Sequence, residues 1–287
     1  MKFLYFILVT VFSLILMLAV SPLRAYPLGL GYASIAGFTA FFFLTVFCFK
    51  IFKSKLPEWQ IPVALILGFW FLQLPIRIID FESSIGSLPD SILQTLGIIC
   101  GFFYWRLKRP FGISIASLGF LLTIFMFFQG YDLWFHKLNF GTFTGQVAAA
   151  NLPTKFEAFD ERKNLITDAD FRNKIVLLDF WNTRCGICFE KFPQVEAVYN
   201  KYKNDSSVVI LAVDKPIEED KPDEAFQIIR DEGYAFPVVI SKDEEMPEKF
   251  GVKGYPTTFV INQTGQIVYK GGIEGAVKTV ESLKREN

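Results

Sequence analysis

Histidine is nearly missing from this chain: His136 is the single one among 287 residues. Cysteine is scarce as well, with four residues, of which only Cys185 and Cys188 stand close together. A structural zinc site takes four Cys or His ligands. Cys48 and Cys100 fall in long apolar runs, so two ligands are at hand and no metal is expected. Nor is any cofactor. Four cysteines so placed are not the framework of a disulfide-stapled scaffold. Net charge is zero. No basic tract and no interleaving of basic and aromatic residues offers a surface for nucleic acid. Internal repeats and low-complexity tracts are absent too.

Apolar residues are abundant instead. They make up 52% of the chain, aromatics 17%, with 33 Phe, which points to lipid contact. Charge is unevenly spread. Residues 1–136 hold nine Lys and Arg and five Asp and Glu; residues 137–287 hold 20 and 24. In the first part five apolar segments stand out: Phe3–Val20, Leu28–Phe49, Ile61–Ile79, Leu88–Trp105 and Phe111–Phe128. Each is close to the roughly 20 residues that cross a bilayer as a helix. Leu88–Trp105 is the weakest because it is short and carries Asp90 near its start. Breakers and charge separate the segments: Pro22 and Pro27, Lys50 to Pro57, Pro89 with Asp90, and Arg106 to Pro110.

Orientation follows from the cations of the short loops. Lys2, Lys50, Lys53, Lys55, Arg106, Lys108 and Arg109 all fall on one side, against Arg24 and Arg77 on the other. The N-terminus is therefore expected inside, with everything after Phe128 outside, in the periplasm or its equivalent. Trp59, Trp105 and Trp134 lie near the expected interfaces. If the first segment were a cleaved signal peptide, four helices would still leave the C-terminal part outside.

Residues 137–151, small and polar from Gly141 to Asn151, read as a linker, and 152–287 as a soluble domain. Lys174–Trp181 (KIVLLDFW) reads as a buried strand and Ile187–Lys203 as a helix. Val208–Val213 reads as a second buried strand, and Pro222–Asp231 as a helix opened by Pro and acidic residues. Phe236–Ser241, Thr257–Asn262 and Gln266–Tyr269 are further strands, the last two joined by a turn at Gln263–Thr264–Gly265. Gly275–Arg285 closes as a helix. This alternation means α/β with a mixed sheet.

A Cys-Gly-Ile-Cys motif between a buried strand and a helix has a physical rationale. The strand fixes the first sulfur, and the free N–H groups and dipole of the helix N-terminus favour a thiolate there. A thiolate is the species that attacks a disulfide. Cys188, one turn on, can close the bridge that releases the substrate.

The stretch VLLDFWNTRCGIC, with Glu190 and Pro193 after it and Tyr255–Pro256–Thr257 in GYPTTFVIN, resembles the thioredoxin-like disulfide oxidoreductases of the TlpA/ResA family. The resemblance covers about residues 152–287. It implies a thioredoxin fold with an extra strand–helix insertion, for which Lys215–Tyr234 is the natural place. It further implies that Cys185 is the exposed nucleophile, Cys188 the buried resolving thiol, and the two a redox-active disulfide. Pro256 would hold a cis bond facing the cysteines, and Asp179 would be the buried carboxylate that takes the proton of Cys188. Trp181, Arg184, Tyr255 and Thr257 are expected at the substrate-binding surface. Trp181 packs beside the motif or is ordinary core.

The chain departs from the family at two positions. Arg184 stands where most relatives have Trp; it either favours the thiolate and selects acidic partners or is a solvated charge. Ile187 replaces the usual Pro. No His lies between the cysteines, so the reading leans to a reductase rather than an oxidant or isomerase. Expected partners are extracytoplasmic thiol or disulfide proteins, an upstream membrane electron donor and the lipid bilayer. An alternative is a transmembrane electron conduit through Cys48 and Cys100, whose more ordinary role is that of small apolar residues. A peroxidase on this fold would need Thr three residues before the attacking cysteine, and Thr183 is two before. An anchored domain with an inert bridge is disfavoured by the joint presence of the motif, Asp179 and Tyr255–Pro256.

Overall fold

The five apolar runs fold as five helical segments, each long and apolar enough to cross a membrane. The computed structural model describes residues 1–26 and 28–286. Pro27, one of the expected breakers, lies outside the described residues. Helix α1 spans Lys2–Val20 and ends in a 3-10 turn, Ser21–Ala25; α2 spans Gly29–Phe52 and α3 Gln60–Ile79. A short α4, Phe81–Ser84, and a 3-10 turn, Ile85–Ser87, lead into α5, Leu88–Arg106. Helix α6, Arg109–Phe125, runs through a π-helical turn, Met126–Gly130, into α7, Tyr131–Phe140.

These helices carry large apolar side chains on the outside as well as in their core, where Phe41, Phe49, Leu65 and Phe69 are fully buried. Phe43, Leu67, Phe71 and Leu118 point outward and are more than half exposed, whereas Ser13, Ser34, Thr45, Asp90, Ser91 and Gln94 are buried. A bundle can bury polar groups this way only if they find partners. Ser13 donates to the Leu65 carbonyl at 2.5 Å, and the Asp90 carboxylate, fully enclosed, takes the Arg24 guanidinium at 2.6 Å. Asp90 made its segment the weakest of the five by sequence; in the fold it is the acceptor that draws several helices together. Glycine lets helices approach: a Cβ on Gly68 would collide with the Thr10 carbonyl, and one on Gly97 with that of Phe38. Close backbone approach of this kind is typical of helices packed in membranes.

Contacts divide the chain into two units, Met1–Phe135 and His136–Asn287. The second holds an eight-stranded mixed sheet. Its strands are β1 Gln146–Asn151, β2 Glu157–Phe159, β3 Leu165–Thr167, β4 Ile175–Trp181, β5 Val208–Asp214, β6 Val238–Ser241, β7 Thr257–Ile261 and β8 Gln266–Gly271. They lie in the order β1-β8-β7-β4-β5-β6-β2-β3. β4–β5 and β5–β6 are parallel and the other pairs antiparallel. Helices α8 Gly186–Tyr202, α9 Glu224–Asp231, α10 Met246–Lys249 and α11 Ile273–Arg285 complete the unit.

Successive strand residues face opposite sides, and β4 is buried on both. Ile175, Leu177 and Trp181 join a core with Phe192 and Val195 of α8, Phe226 and Ile229 of α9, and Ala276 and Val280 of α11. Val176, Leu178 and Phe180 join the other core, with Phe156, Phe171, Met246 and Phe250. β7 and β8 form the expected hairpin; Gly265, at φ +80°, takes the left-handed turn position that other residues avoid.

The sequence-based expectation differs from the fold in two places. The segment 137–151, expected as a linker, contains the end of α7 and the whole of β1, which pairs antiparallel with β8. QVAAAN lacks alternation and has a single β-branched residue, Val147, so pairing with the open edge of β8 is what makes it a strand. Lys215–Tyr234 supplies a helix, α9, but no strand; the strand follows at Val238. The three-residue strands β2 and β3 are too short for any periodicity to announce.

Phe192 is fully buried, with ring centroids 5.0 Å from Trp181 and 5.4 Å from Phe236. Phe192→Ala is expected to destabilise this unit by about 3–5 kcal/mol. A urea titration of residues 136–287 checks this; Trp181, the one Trp of that unit, provides the fluorescence. A loss under 1 kcal/mol would mean that the core between β4 and α8 does not depend on this ring.

Candidate dithiol–disulfide site

Strand β4 ends at Trp181, and four residues later Cys185 becomes the N-cap of α8. Cys185 and Cys188 are joined by a disulfide. Cys185 Sγ accepts the Cys188 N–H at 3.2 Å, and its carbonyl accepts the same N–H at 3.0 Å. The first sulfur therefore sits where the free amides and the positive end of the 17-residue helix converge. Cys188 is 1% exposed, whereas Cys185 is half-buried and Gly186 and Ile187 between them are open to solvent. An incoming group of protein size can reach Cys185 and not Cys188.

The peptide bond Tyr255–Pro256 is cis. It immediately precedes β7, whose Thr257 and Thr258 pair with Phe180 and Asp179. That register sets the Pro256 loop beside the end of β4, and Tyr255 and Cys185 pack on the same core. Tyr255 and Pro256 remain partly open, whereas Thr257 is buried and turns its hydroxyl to the Gly254 carbonyl at 2.7 Å.

Asp179 is the one charged residue of β4 and is 1% exposed. By alternation it shares the face of Leu177 and Trp181, the face that α8 and Cys188 cover. Thr258 donates to its Oδ1 at 2.7 Å. Burial pushes its carboxyl up to about 6; the negative charge of Glu274 adds to this and the Thr258 hydrogen bond opposes it. Glu274, in the first turn of α11, is ion-paired to Lys191 at 2.5 Å.

Three expectations change. Trp181 was expected at the substrate surface, but it is fully buried, edge-on to Phe192 and Phe189. It backs the motif from within the core and no substrate can touch it. Thr257 likewise offers no exposed side chain. Arg184 is neither a free charge nor aimed at the thiolate: its Nη1 binds Glu224 Oε1 at 2.9 Å. Glu224 also caps its own loop through the Lys221 N–H at 2.7 Å. Arg184, half exposed, ties the motif to α9 through this pair.

Asp214 escaped the sequence reading. It ends β5 directly beside Trp181 in register, is 2% exposed, and its Oδ1 has no partner. Burial pushes its carboxyl up to about 7, reinforced by Asp220 and Glu224. The legible signal was an acid closing an otherwise apolar strand. Cys48 and Cys100 are both free and buried; Cys100 turns its thiol to the Ile115 carbonyl, at 3.8 Å.

A disulfide at the N-terminus of the helix after a central buried strand, beside a cis-proline loop and above a buried carboxylate, defines a thioredoxin-type dithiol–disulfide centre. Residues 149–270 match the AhpC/TSA family. A thiol-disulfide oxidoreductase ResA of Geobacillus kaustophilus is 30% identical over 168 residues, covering 58% of this chain and 89% of that protein. The ResA of Halalkalibacterium halodurans is 35% identical over 107 residues, 36% of this chain; the chain spans 58% of that relative's length. A putative thioredoxin from Neisseria meningitidis, known in solution, aligns over 47% of this chain and 91% of its own, at 26% identity and TM-score 0.42. The chain belongs to the ResA thiol-disulfide oxidoreductase family.

The raised carboxyl of Asp179 makes a prediction with a definite sign. Its folded value, about 6, lies above the ordinary 3.8. Between those values the folded form keeps a proton that the unfolded chain has released. Stability therefore falls as pH rises from about 4 to 6 and stays lower above that. Asp179→Asn is expected to remove this slope and to be more stable than the parent at pH 7 by on the order of 2–3 kcal/mol. Asp214 titrates in the same sense but is common to both proteins, so the difference between their denaturation curves isolates Asp179. A difference that is the same at pH 4 and pH 7 would show that Asp179 does not titrate in this range.

Proposed function

We propose that this protein is a membrane-anchored disulfide reductase whose dithiol works on the extracytoplasmic side. The observation that carries the chemistry is the asymmetry of the two sulfurs: an accessible Cys185 at a helix N-terminus and an enclosed Cys188 over Asp179. In the reduced state the Cys185 thiolate attacks one sulfur of a substrate disulfide, and the substrate's other sulfur leaves as a thiolate. Cys188 passes its proton to Asp179 and attacks Cys185 Sγ. Asp179 returns that proton to a departing sulfur, so the substrate leaves as one thiol and one thiolate, and the electron pair it gained leaves Cys185 and Cys188 as a disulfide. Tyr255 and Pro256 border the groove in which a substrate strand lies alongside the motif. An upstream membrane dithiol then returns two electrons.

The membrane reading is supported by the five helical segments and their outward-facing Phe and Leu side chains. The seven cations that fall on one side of those segments favour the N-terminus inside and the dithiol outside. The direction of exchange rests on the absence of His between the cysteines. For the electron-conduit alternative, Cys48 and Cys100 would need a bond or a partner thiol, and each is packed singly among apolar neighbours.

Cys185→Ser is expected to reduce insulin-disulfide reduction by residues 136–287 to background. The reduction potential of the same fragment, equilibrated in glutathione or dithiothreitol buffers, tests the direction. A value near about −270 mV is expected for a reductase; one between about −120 and −180 mV would make the domain an oxidant or isomerase.

A further inference from the structure

Within residues 1–135 two clusters of buried polar side chains differ in charge balance. In the first, Asp90 accepts from Arg24 through Nη2 at 2.6 Å and Nε at 2.7 Å, from Gln94 at 2.8 Å and from Ser34 at 3.2 Å. Ser34 in turn meets the Tyr131 hydroxyl at 2.5 Å. One cation faces one anion, and the carboxylate is fully satisfied.

The second set centres on Arg77, 8% exposed. Its guanidinium meets only neutral oxygens: the carbonyls of Ser84 at 2.6 Å and Ser87 at 3.2 Å, and the hydroxyls of Ser87 at 3.3 Å and Ser91 at 2.7 Å. No carboxylate pairs with it among the described residues; Asp80 and Glu82, the acids nearest in sequence, lie exposed on the surface. Arg77 Nε and Gln73 Nε2 are buried donors without acceptors, and Gln73 is 7% exposed. The whole cluster thus carries one uncompensated positive charge and two unused N–H donors. A buried unpaired cation is costly in any interior and more so at membrane depth.

Both residues line one cavity of about 200 Å³, together with Arg24, and its apolar wall includes Leu18, Leu72 and Ile76. Those three side chains are exposed on the bundle surface, so the cavity opens where acyl chains would run. Arg77 lies two residues before the end of α3, about 3 Å along the axis. That is the level at which lipid headgroups meet a bundle.

We propose that this cavity binds a phosphate oxyanion, with Arg77 as its principal ligand and Gln73 as a second donor. The proposal rests on the membrane reading above. A guanidinium presents paired donors that match phosphate oxygens, and basic pockets between membrane helices take anionic headgroups. The apolar wall favours a phosphate that carries acyl chains over free phosphate.

The test uses the full chain reconstituted in nanodiscs of phosphatidylcholine alone, of phosphatidylcholine with phosphatidylglycerol, and of phosphatidylcholine with inorganic phosphate at matched ionic strength. Native mass spectrometry counts retained lipid, and a thermal melt follows the helices. Phosphatidylglycerol is expected to be retained in preference to phosphatidylcholine and to raise the melting temperature. Arg77→Gln should weaken that preference roughly tenfold, as for one lost charge-assisted contact. Arg77→Lys should restore part of it. Arg106→Gln, at the other end of α5 and paired to Glu58, should leave it unchanged. If Arg77→Gln does not fold, Gln73→Leu is expected to lower the preference in the same direction. Stabilisation by inorganic phosphate to the same extent would assign the site to a free anion. No preference in the parent protein, or an equal preference in the Arg77 and Gln73 variants, overturns the proposal while leaving the membrane reading intact. A chain that does not enter the discs overturns both.

Discussion

Strand β4 is the constraint on which the soluble unit depends. All seven of its residues are buried, which is possible only because β5 and β7 pair with it on either side and helices or loops cover both faces. A strand so enclosed cannot shift register without moving every side chain to the wrong layer. Its last residue therefore delivers the Cys185 turn to a fixed point, and its fifth, Asp179, is fixed on the Cys188 side. The same enclosure takes water away from Asp179 and lifts its carboxyl towards neutrality. The position of Cys185 and the raised carboxyl of Asp179 are two results of one packing arrangement.

In the helical unit the constraint falls on buried polar groups. Apolar side chains such as Phe43, Leu67, Phe71 and Leu118 face outward around an apolar core that includes Phe41, Phe49, Leu65 and Phe69, and the polar groups buried inside find partners among one another or on backbone carbonyls. Asp90 achieves this with four hydrogen bonds from three partners. Arg77 does so only in part. A group left over in an otherwise closed network is where an external ligand would act.

Much of the site was legible because its pieces are local. A buried strand, a CxxC and a helix follow one another within thirty residues, and each has its own periodicity. Asp179 could be picked out as an acid in an apolar run, and Pro256 by the residues around it. Arg184 and Trp181 were not legible. The partner of Arg184 is 40 residues away on α9, and whether an aromatic beside the motif faces solvent or core depends on Phe189 and Phe192 behind it. β1 was missed because its strand character comes from the edge of β8 rather than from its own residues.

The sequence by itself determined the number and length of the apolar segments, the order strand–CxxC–helix, and the uneven charge between the two parts, since all of these are properties of short stretches of chain. Only the tertiary structure decided which buried charges are paired. Arg24 finds Asp90 across 66 residues, Arg184 is claimed by Glu224, and Arg77 and Asp214 are left with unused polar atoms. The physical reason is that burial and hydrogen-bond partners depend on which elements come side by side, and no local pattern records that.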